Sequence, residues 1–341
     1  MSESKAMIMG LKGLSPDADE IALFRAERPW GFILFARNLS EPAQISDLVA
    51  ALRDSVGRPE APVLIDQEGG RVQRLRPPLA ARYPAPAVIG EIYRRDRERG
   101  LRAAWLMSRL HAFDLARYGI NVDCLPVLDV PVEGSTNAIG DRAYATDPQA
   151  SAAMGQAACD GLKAGGLLPV MKHIPGHGRA MVDSHHLLPL VDVLREELEA
   201  HDFAPFRALR HELMAMSAHV VYQAIDRDYP ATISRKIVEE VIRGSIGFEG
   251  LLMSDDVSMN ALKGTIGERA AAMAAAGTDI VLYCHGVMSE MIEVATVTGP
   301  LQGAALRRAQ AVEQALSEIA AGDGADEAEL RAEFDGMGVM S

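Results

Sequence analysis

Residues 171–186 read MKHIPGHGRAMVDSHH, so four histidines, a lysine and an aspartate fall within sixteen positions. This stretch follows an apolar run, residues 166–171, that reads as a buried strand. Ionisable residues arriving at the end of a buried strand are where α/β enzymes place their chemistry. A second case is LLMSDDVSM at 251–259, where Asp255 and Asp256 follow four mostly apolar residues.

Each group has a functional reading and a plainer one. Lys172 and His173, directly after the strand, can donate hydrogen bonds to hydroxyl or carbonyl groups; the plainer reading is a salt bridge and a satisfied histidine. Pro175-Gly176-His177-Gly178 excludes a helix interior and predicts a mobile or tightly turned loop, of the kind that serves as a lid over a barrel mouth. Asp183 stands two residues from His185 and can orient the imidazole and raise its basicity, giving a dyad that exchanges a proton near neutral pH. The competing reading is a surface loop with incidental charges. His173, His177, His185 and His186 also offer ligands to zinc, although neither an H-x-H after the first strand nor an H-E-x-x-H helix accompanies them. Of Asp255 and Asp256, one is expected to point into the mouth as nucleophile or base and the other to satisfy backbone groups; spacing alone leaves open which.

These groups need a scaffold that brings strand ends together. Short apolar runs occur at 6–9, 31–35, 62–65, 120–124, 168–171, 213–217, 251–253 and 280–283. Most are continuous rather than alternating, as in parallel strands covered on both faces. Helical segments are expected at 41–56, 94–118, 148–164, 194–210, 234–245 and 266–276. Gly119, Gly165 and Gly277 read as helix C-caps, and Thr232 or Ser234 as an N-cap. Eight strand-then-helix units predict an α/β fold, a single (β/α)8 TIM-type barrel spanning residues 1–341 with an acidic C-terminal tail at 322–341. A doubly wound open sheet is the alternative, but no G-x-G-x-x-G follows the first strand and no P-loop is present. Helices at about 300–321 and 327–334 should close the barrel and cap an end. In the barrel, the strand ends also gather Asp66, Gln67, Glu68, Arg71 and Arg74 after the third strand. Asp129, Asn137, Asp141 and Arg142 follow the fourth, His219 the sixth and His285 the eighth.

The formal net charge of −13 argues against a nucleic-acid partner, because phosphate binding needs a basic footprint. The three cysteines are widely spaced and form no C-x-x-C pair, so neither a zinc ribbon nor a disulfide framework is expected. No run approaches the roughly 20 apolar residues of a membrane helix, and the N-terminus lacks a signal-peptide stretch. A cytoplasmic protein without a membrane partner is the expectation.

Taken in order, D-Q-E-G-G-R-V-Q-R, I-G-D-R, K-H-I-P-G-H-G, D-S-H and S-D-D-V-S-M resemble family 3 of the glycoside hydrolases, and more narrowly its bacterial β-N-acetylglucosaminidases of peptidoglycan recycling. The resemblance runs from about residue 31 to 285. Ile174 stands where an aromatic is usual, Val257 where leucine is, and Tyr144 where phenylalanine is common; no ionisable position differs. The family implies a retaining mechanism with Asp255 as nucleophile and His185, assisted by Asp183, as acid/base. It implies that Asp66, Arg74, Arg142, Lys172 and His173 hold the N-acetylglucosamine ring. It further implies a small-molecule substrate, an amino-sugar oligosaccharide or muropeptide ending in 1,6-anhydro-N-acetylmuramic acid, with no cofactor or metal; a monomer is the expectation, although the sequence itself carries no signal of oligomeric state. Alternatives are a phosphorylase of the same fold, using phosphate as second nucleophile, and a zinc-dependent barrel hydrolase.

Overall fold

The computed structural model describes residues 4–182 and 187–339. Eight parallel strands form the central sheet: Lys5–Met9, Pro29–Leu34, Val63–Ile65, Val122–Asp123, a fifth in two segments (Leu168–Pro169 and Met171–Ile174), Met214–Ser217, Leu251–Asp256 and Ile280–Tyr283. The fifth strand closes the ring. Its first segment pairs with the fourth strand (Val122 with Leu168), while its second pairs with the sixth (Ala215 with Met171). The first strand pairs with both the second and the eighth. The fold is therefore an α/β TIM-type barrel.

Continuous apolar strands are explained by burial on two sides. Ile8, Leu64, Val122, Met253 and Leu282 belong to one core, together with Leu301, Ala309, Val312 and Leu316 around the helix Gly303–Ile319. Met7, Met9, Val63 and Ile65 belong to another with Phe24, Leu48 and Leu52 of the surrounding helices. The helix Gly303–Ile319 lies across the N-terminal ends of the strands: Glu313 accepts from Trp30 Nε1 (2.9 Å), and Arg308 reaches Asp279, just before the eighth strand (3.0 Å). It caps the bottom, leaving chemistry to the other end.

Several expected elements differ in extent. The helix expected at 94–118 is observed as Arg97–Ala116; Asp96, whose carboxylate caps it by accepting from Arg99 N (3.1 Å), separates it from a helix Pro86–Arg95 that was not expected. That expected at 194–210 divides into Arg195–Ala200 and Ala204–Ala208; Pro205 lacks an N–H and fits the first turn of the second. The segment expected at 234–245 is a wide, π-type helix, Ile237–Ser245, with Ser234 Oγ accepting from Ile237 N (3.1 Å). Two further helices, Ala18–Glu27 and Met288–Val297, were not expected. The seventh strand runs on to Asp256, so both aspartates belong to it rather than to the loop beyond.

Candidate active site

A cleft of about 590 Å³ opens at the C-terminal ends of the strands. Ile33, Met216 and Leu282 form apolar parts of its wall, and Asp66, Arg71, Arg74, Arg142, Lys172, His173, Asp255, Asp256, Ser258 and His285 supply the polar groups. Six of the eight expected site residues thus come together, from the third, fourth, fifth and seventh strands and their loops. Asp183 and His185, with Ser184 and His186, lie outside the described residues.

Charge pairing sets the geometry of one side. Lys172 Nζ lies 2.8 Å from Asp66 Oδ1 and 2.6 Å from Glu68 Oε1. Arg74 Nη2 meets Asp66 Oδ2 at 2.9 Å, and Arg142 grips Glu68 through Nε (2.9 Å) and Nη2 (2.8 Å). Burial would raise the pKa of Asp66, but Lys172 and Arg74 more than offset it and hold the carboxyl well below the ordinary range. Glu68, pushed up by burial and down by Arg142 and Lys172, is held at about 2. Burial disfavours the Lys172 ammonium, yet Asp66 and Glu68 keep it charged well above pH 10. The result is a rigid set of charge-assisted donors and acceptors at neutral pH.

Asp129 organises the next element. Its Oδ2 lies 2.7 Å from His173 Nδ1, while Oδ1 accepts from the amides of His173 (3.2 Å) and His177 (2.6 Å). Burial raises the Asp129 pKa, but His173 and His177 bring it below the ordinary value, so an ionised carboxylate faces Nδ1–H and leaves Nε2 as the free pole of His173. His177 is 3% exposed, and burial holds its pKa down to about 4 despite Asp129. Of the two readings of Pro175-Gly176-His177-Gly178, the structure has the tight turn. A Cβ on Gly178 would meet Val130 O at 2.1 Å, Tyr222 Oη donates to Gly176 O, and Arg179 pairs with Asp202 (2.6 Å). This part of the segment is packed into the barrel top rather than laid over it as a lid.

The adjacent carboxylates differ in their partners. Asp256 Oδ1 accepts from Ser258 N (3.1 Å) and Cys284 N (3.3 Å), and its Oδ2 from Ser258 Oγ (2.5 Å), tying the seventh strand to the eighth. Asp255 Oδ1 accepts from Asp256 N (2.8 Å), which fixes its rotamer at the cleft wall. Among the described residues no group of three or more His, Cys, Asp or Glu side chains converges as metal ligands would. Arg37, after the second strand, was not anticipated. It donates through Nε to Leu11 O (3.0 Å) and through Nη2 to Cys284 O, bracing the cleft rim. Its charge directly after a buried strand was the available signal.

The chain belongs to glycosyl hydrolase family 3, whose N-terminal-domain model matches residues 12–319. It is 39% identical over 283 residues to a β-hexosaminidase of Alkalilimnicola ehrlichii, covering 82% of this chain and 80% of that one. Among solved structures it resembles NagZ from Neisseria gonorrhoeae in complex with N-trifluoroacetyl-D-glucosamine, with a TM-score of 0.86 and 32% identity over 99% of this chain and 98% of that one. A family 3 β-N-acetylglucosaminidase from Paenibacillus is also similar, with a TM-score of 0.83 and 29% identity, covering 97% of this chain and 67% of that one.

Proposed function

We propose that the protein is a retaining exo-β-N-acetylglucosaminidase that removes terminal β-linked N-acetylglucosamine from peptidoglycan fragments. The observation that carries this reading is the sharing of one cleft by Asp255, the charge-paired Asp66, Arg74, Arg142 and Lys172, and His173. Hydroxyls of a terminal ring suit these paired donors and acceptors, and the packed barrel interior stops a longer chain from threading through. The β-hexosaminidase relatives and the N-acylglucosamine bound to the Neisseria protein support an N-acetylated sugar.

In the reaction, Asp255 attacks the anomeric carbon as the glycosidic C–O bond breaks, and His185 gives its proton to the leaving oxygen. Asp183 orients and charges that imidazole. The glycosyl ester is then opened by water, whose proton returns to His185, and Asp255 leaves with net retention at C1. A histidine suits both roles at neutral pH because its unperturbed pKa is about 6.5. No metal or organic cofactor takes part. The natural substrate in this reading is a muropeptide bearing terminal N-acetylglucosamine on 1,6-anhydro-N-acetylmuramic acid, processed in the cytoplasm by a monomer; no helix among the described residues is long and apolar enough to cross a membrane.

The test is a comparison of nitrophenyl glycosides. The N-acetyl-β-glucosaminide should exceed the plain β-glucoside in kcat/KM by about 10²-fold or more, since a site built around a polar group rejects its absence strongly. Equal rates, or preference for the glucoside, would overturn the substrate assignment. In phosphate buffer the product should be free N-acetylglucosamine; its 1-phosphate would replace hydrolysis by phosphorolysis.

A further inference from the structure

Glu68 takes no part in the reaction described above, yet two of the five proposed sugar ligands depend on it. Its side chain is 1% exposed and lies behind the cleft wall. It receives Arg142 in a two-bond fork and Lys172 at 2.6 Å. Lys172 also bonds Asp66, which in turn holds Arg74. Two carboxylates therefore anchor three cations, with Lys172 as the bridge. A carboxylate has about four acceptor sites. With Arg142 drawn to Glu68, Asp66 uses one bond to Lys172 and one to Arg74, and keeps capacity for a sugar hydroxyl.

We propose that Glu68 is a positioning residue for the sugar-binding cluster, holding Arg142 and Lys172 so that Asp66 remains open to a substrate hydroxyl. This rests on the proposed function, because it requires a sugar in the cleft. Without the Glu68 charge, one carboxylate would face three cations in a buried space. The surplus is relieved either by Arg142 turning toward Asp66, which consumes the acceptor sites the substrate needs, or by Lys172 giving up its proton.

The groups around Glu68 leave Lys172 as the one that would respond to alkali. Asp66, Arg74 and Arg142 stay charged. Asp123 on the fourth strand is pushed by burial well above the carboxylate range, and His111 on the helix Arg97–Ala116 is pushed down to about 3. Cys124 and Tyr144, which also feel Glu68, are driven upward by burial and stay neutral.

Steady-state kinetics of the full chain on the nitrophenyl N-acetyl-β-glucosaminide, across pH, tests this with two variants. Glu68→Gln should raise KM about tenfold or more, with kcat less affected. It should also bring the alkaline loss of kcat/KM to lower pH than in the wild type, because Lys172 loses one of the two carboxylates that keep it charged. Glu68→Asp keeps the charge but shortens the reach to both cations, so it should raise KM while retaining the wild-type pH profile. If Glu68→Gln does not fold, Glu68→Asp decides alone: a raised KM with the wild-type profile supports the role, and an unchanged KM refutes it. Variants that lose only thermal stability or active fraction, with KM and profile intact, reduce Glu68 to a structural residue. Wild-type protein that cleaves no N-acetylglucosaminide removes the functional reading itself, whereas indifferent variants of an active enzyme remove this inference alone.

Discussion

His185 is the proton carrier in the proposed reaction, and the surroundings of the other mouth histidines set them apart from that role. His177 is buried and neutral, with a pKa held at about 4. His219 is sealed between Thr232 Oγ1 (2.9 Å) and Asp256 O (3.0 Å), and His173 gives Nδ1 to Asp129. His285 is more open, with Nε2 3.6 Å from Asp256 Oδ2. His185→Ala should therefore slow a sugar leaving group by about 10²–10⁴-fold, far more than a nitrophenol, which departs without a proton. Azide should then speed turnover of the nitrophenyl substrate. His285→Ala and His177→Ala are the controls; if either reproduced that leaving-group pattern and His185→Ala did not, the acid/base would have to be reassigned. At this scale the sequence was informative where ionisable residues follow strands, which is how Asp66, Lys172, His173 and Asp255 were found. Glu68 and Asp129 stood in the same inventory, but their roles come from side-chain pairing across strands, which linear spacing does not encode.

Among elements, the acidic C-terminal stretch shows what pairing adds to pattern. It contains the helix Glu327–Asp335, capped by Asp326 and bound along the basic helix Arg97–Ala116. Arg102 pairs with Glu333 (2.6 Å), Arg117 with Glu327 (2.9 Å) and Arg109 with Asp323 (2.6 Å). The important contact is Arg331 with Asp114 (2.7 Å), because Asp114 is buried and also receives Tyr83 Oη (2.5 Å). The exposed pairs, Arg102 with Glu333 and Arg117 with Glu327, contribute little each. Arg331→Ala strips a buried carboxylate of its main cation and should cost about 3 kcal/mol, read as a lower Tm with kcat/KM of the folded enzyme unchanged. A loss within experimental error would mean that Arg117, whose Nη2 also lies 3.2 Å from Asp114 Oδ1, holds the carboxylate alone. The strands were legible because each is a short apolar run in a chain of regular alternation. The helix Ala18–Glu27 was not, since it buries only Glu20 and Phe24 and has no apolar stripe. Its signal was the capping box, Asp17 with Glu20, which periodicity does not register.

For the molecule as a whole, the buried His177 and His111 weaken the fold as pH falls, partly offset by the buried Asp123, whose raised pKa favours the folded state in acid. His177 and His111 have folded pKa values of about 4 and about 3, set chiefly by burial, against 6.5 when free. Below pH 6.5 the unfolded chain takes up protons that the folded chain refuses, so stability is full above 6.5 and declines as pH falls toward 4. At about 1.4 kcal/mol per unit, each can contribute on the order of 3 kcal/mol to that loss. The Glu68 carboxyl, depressed from 4.5 to about 2, adds a second decline below pH 4.5. Denaturant melts from pH 7 to 4 should show the first decline, weakened in His177→Gln; a flat profile over that range would mean the imidazoles become protonated without unfolding. The same assembly of strands, loops and cleft must also deliver one stereochemical outcome. Reaction with a slow fluorinated N-acetylglucosaminyl donor, followed by peptide mapping, tests the central claim most directly. The expected result is one glycosyl ester on Asp255, absent in Asp255→Ala and present in Asp256→Asn, with β-configured product released first from the natural linkage. A label on Asp256 or elsewhere, or release of the α-anomer, would contradict it.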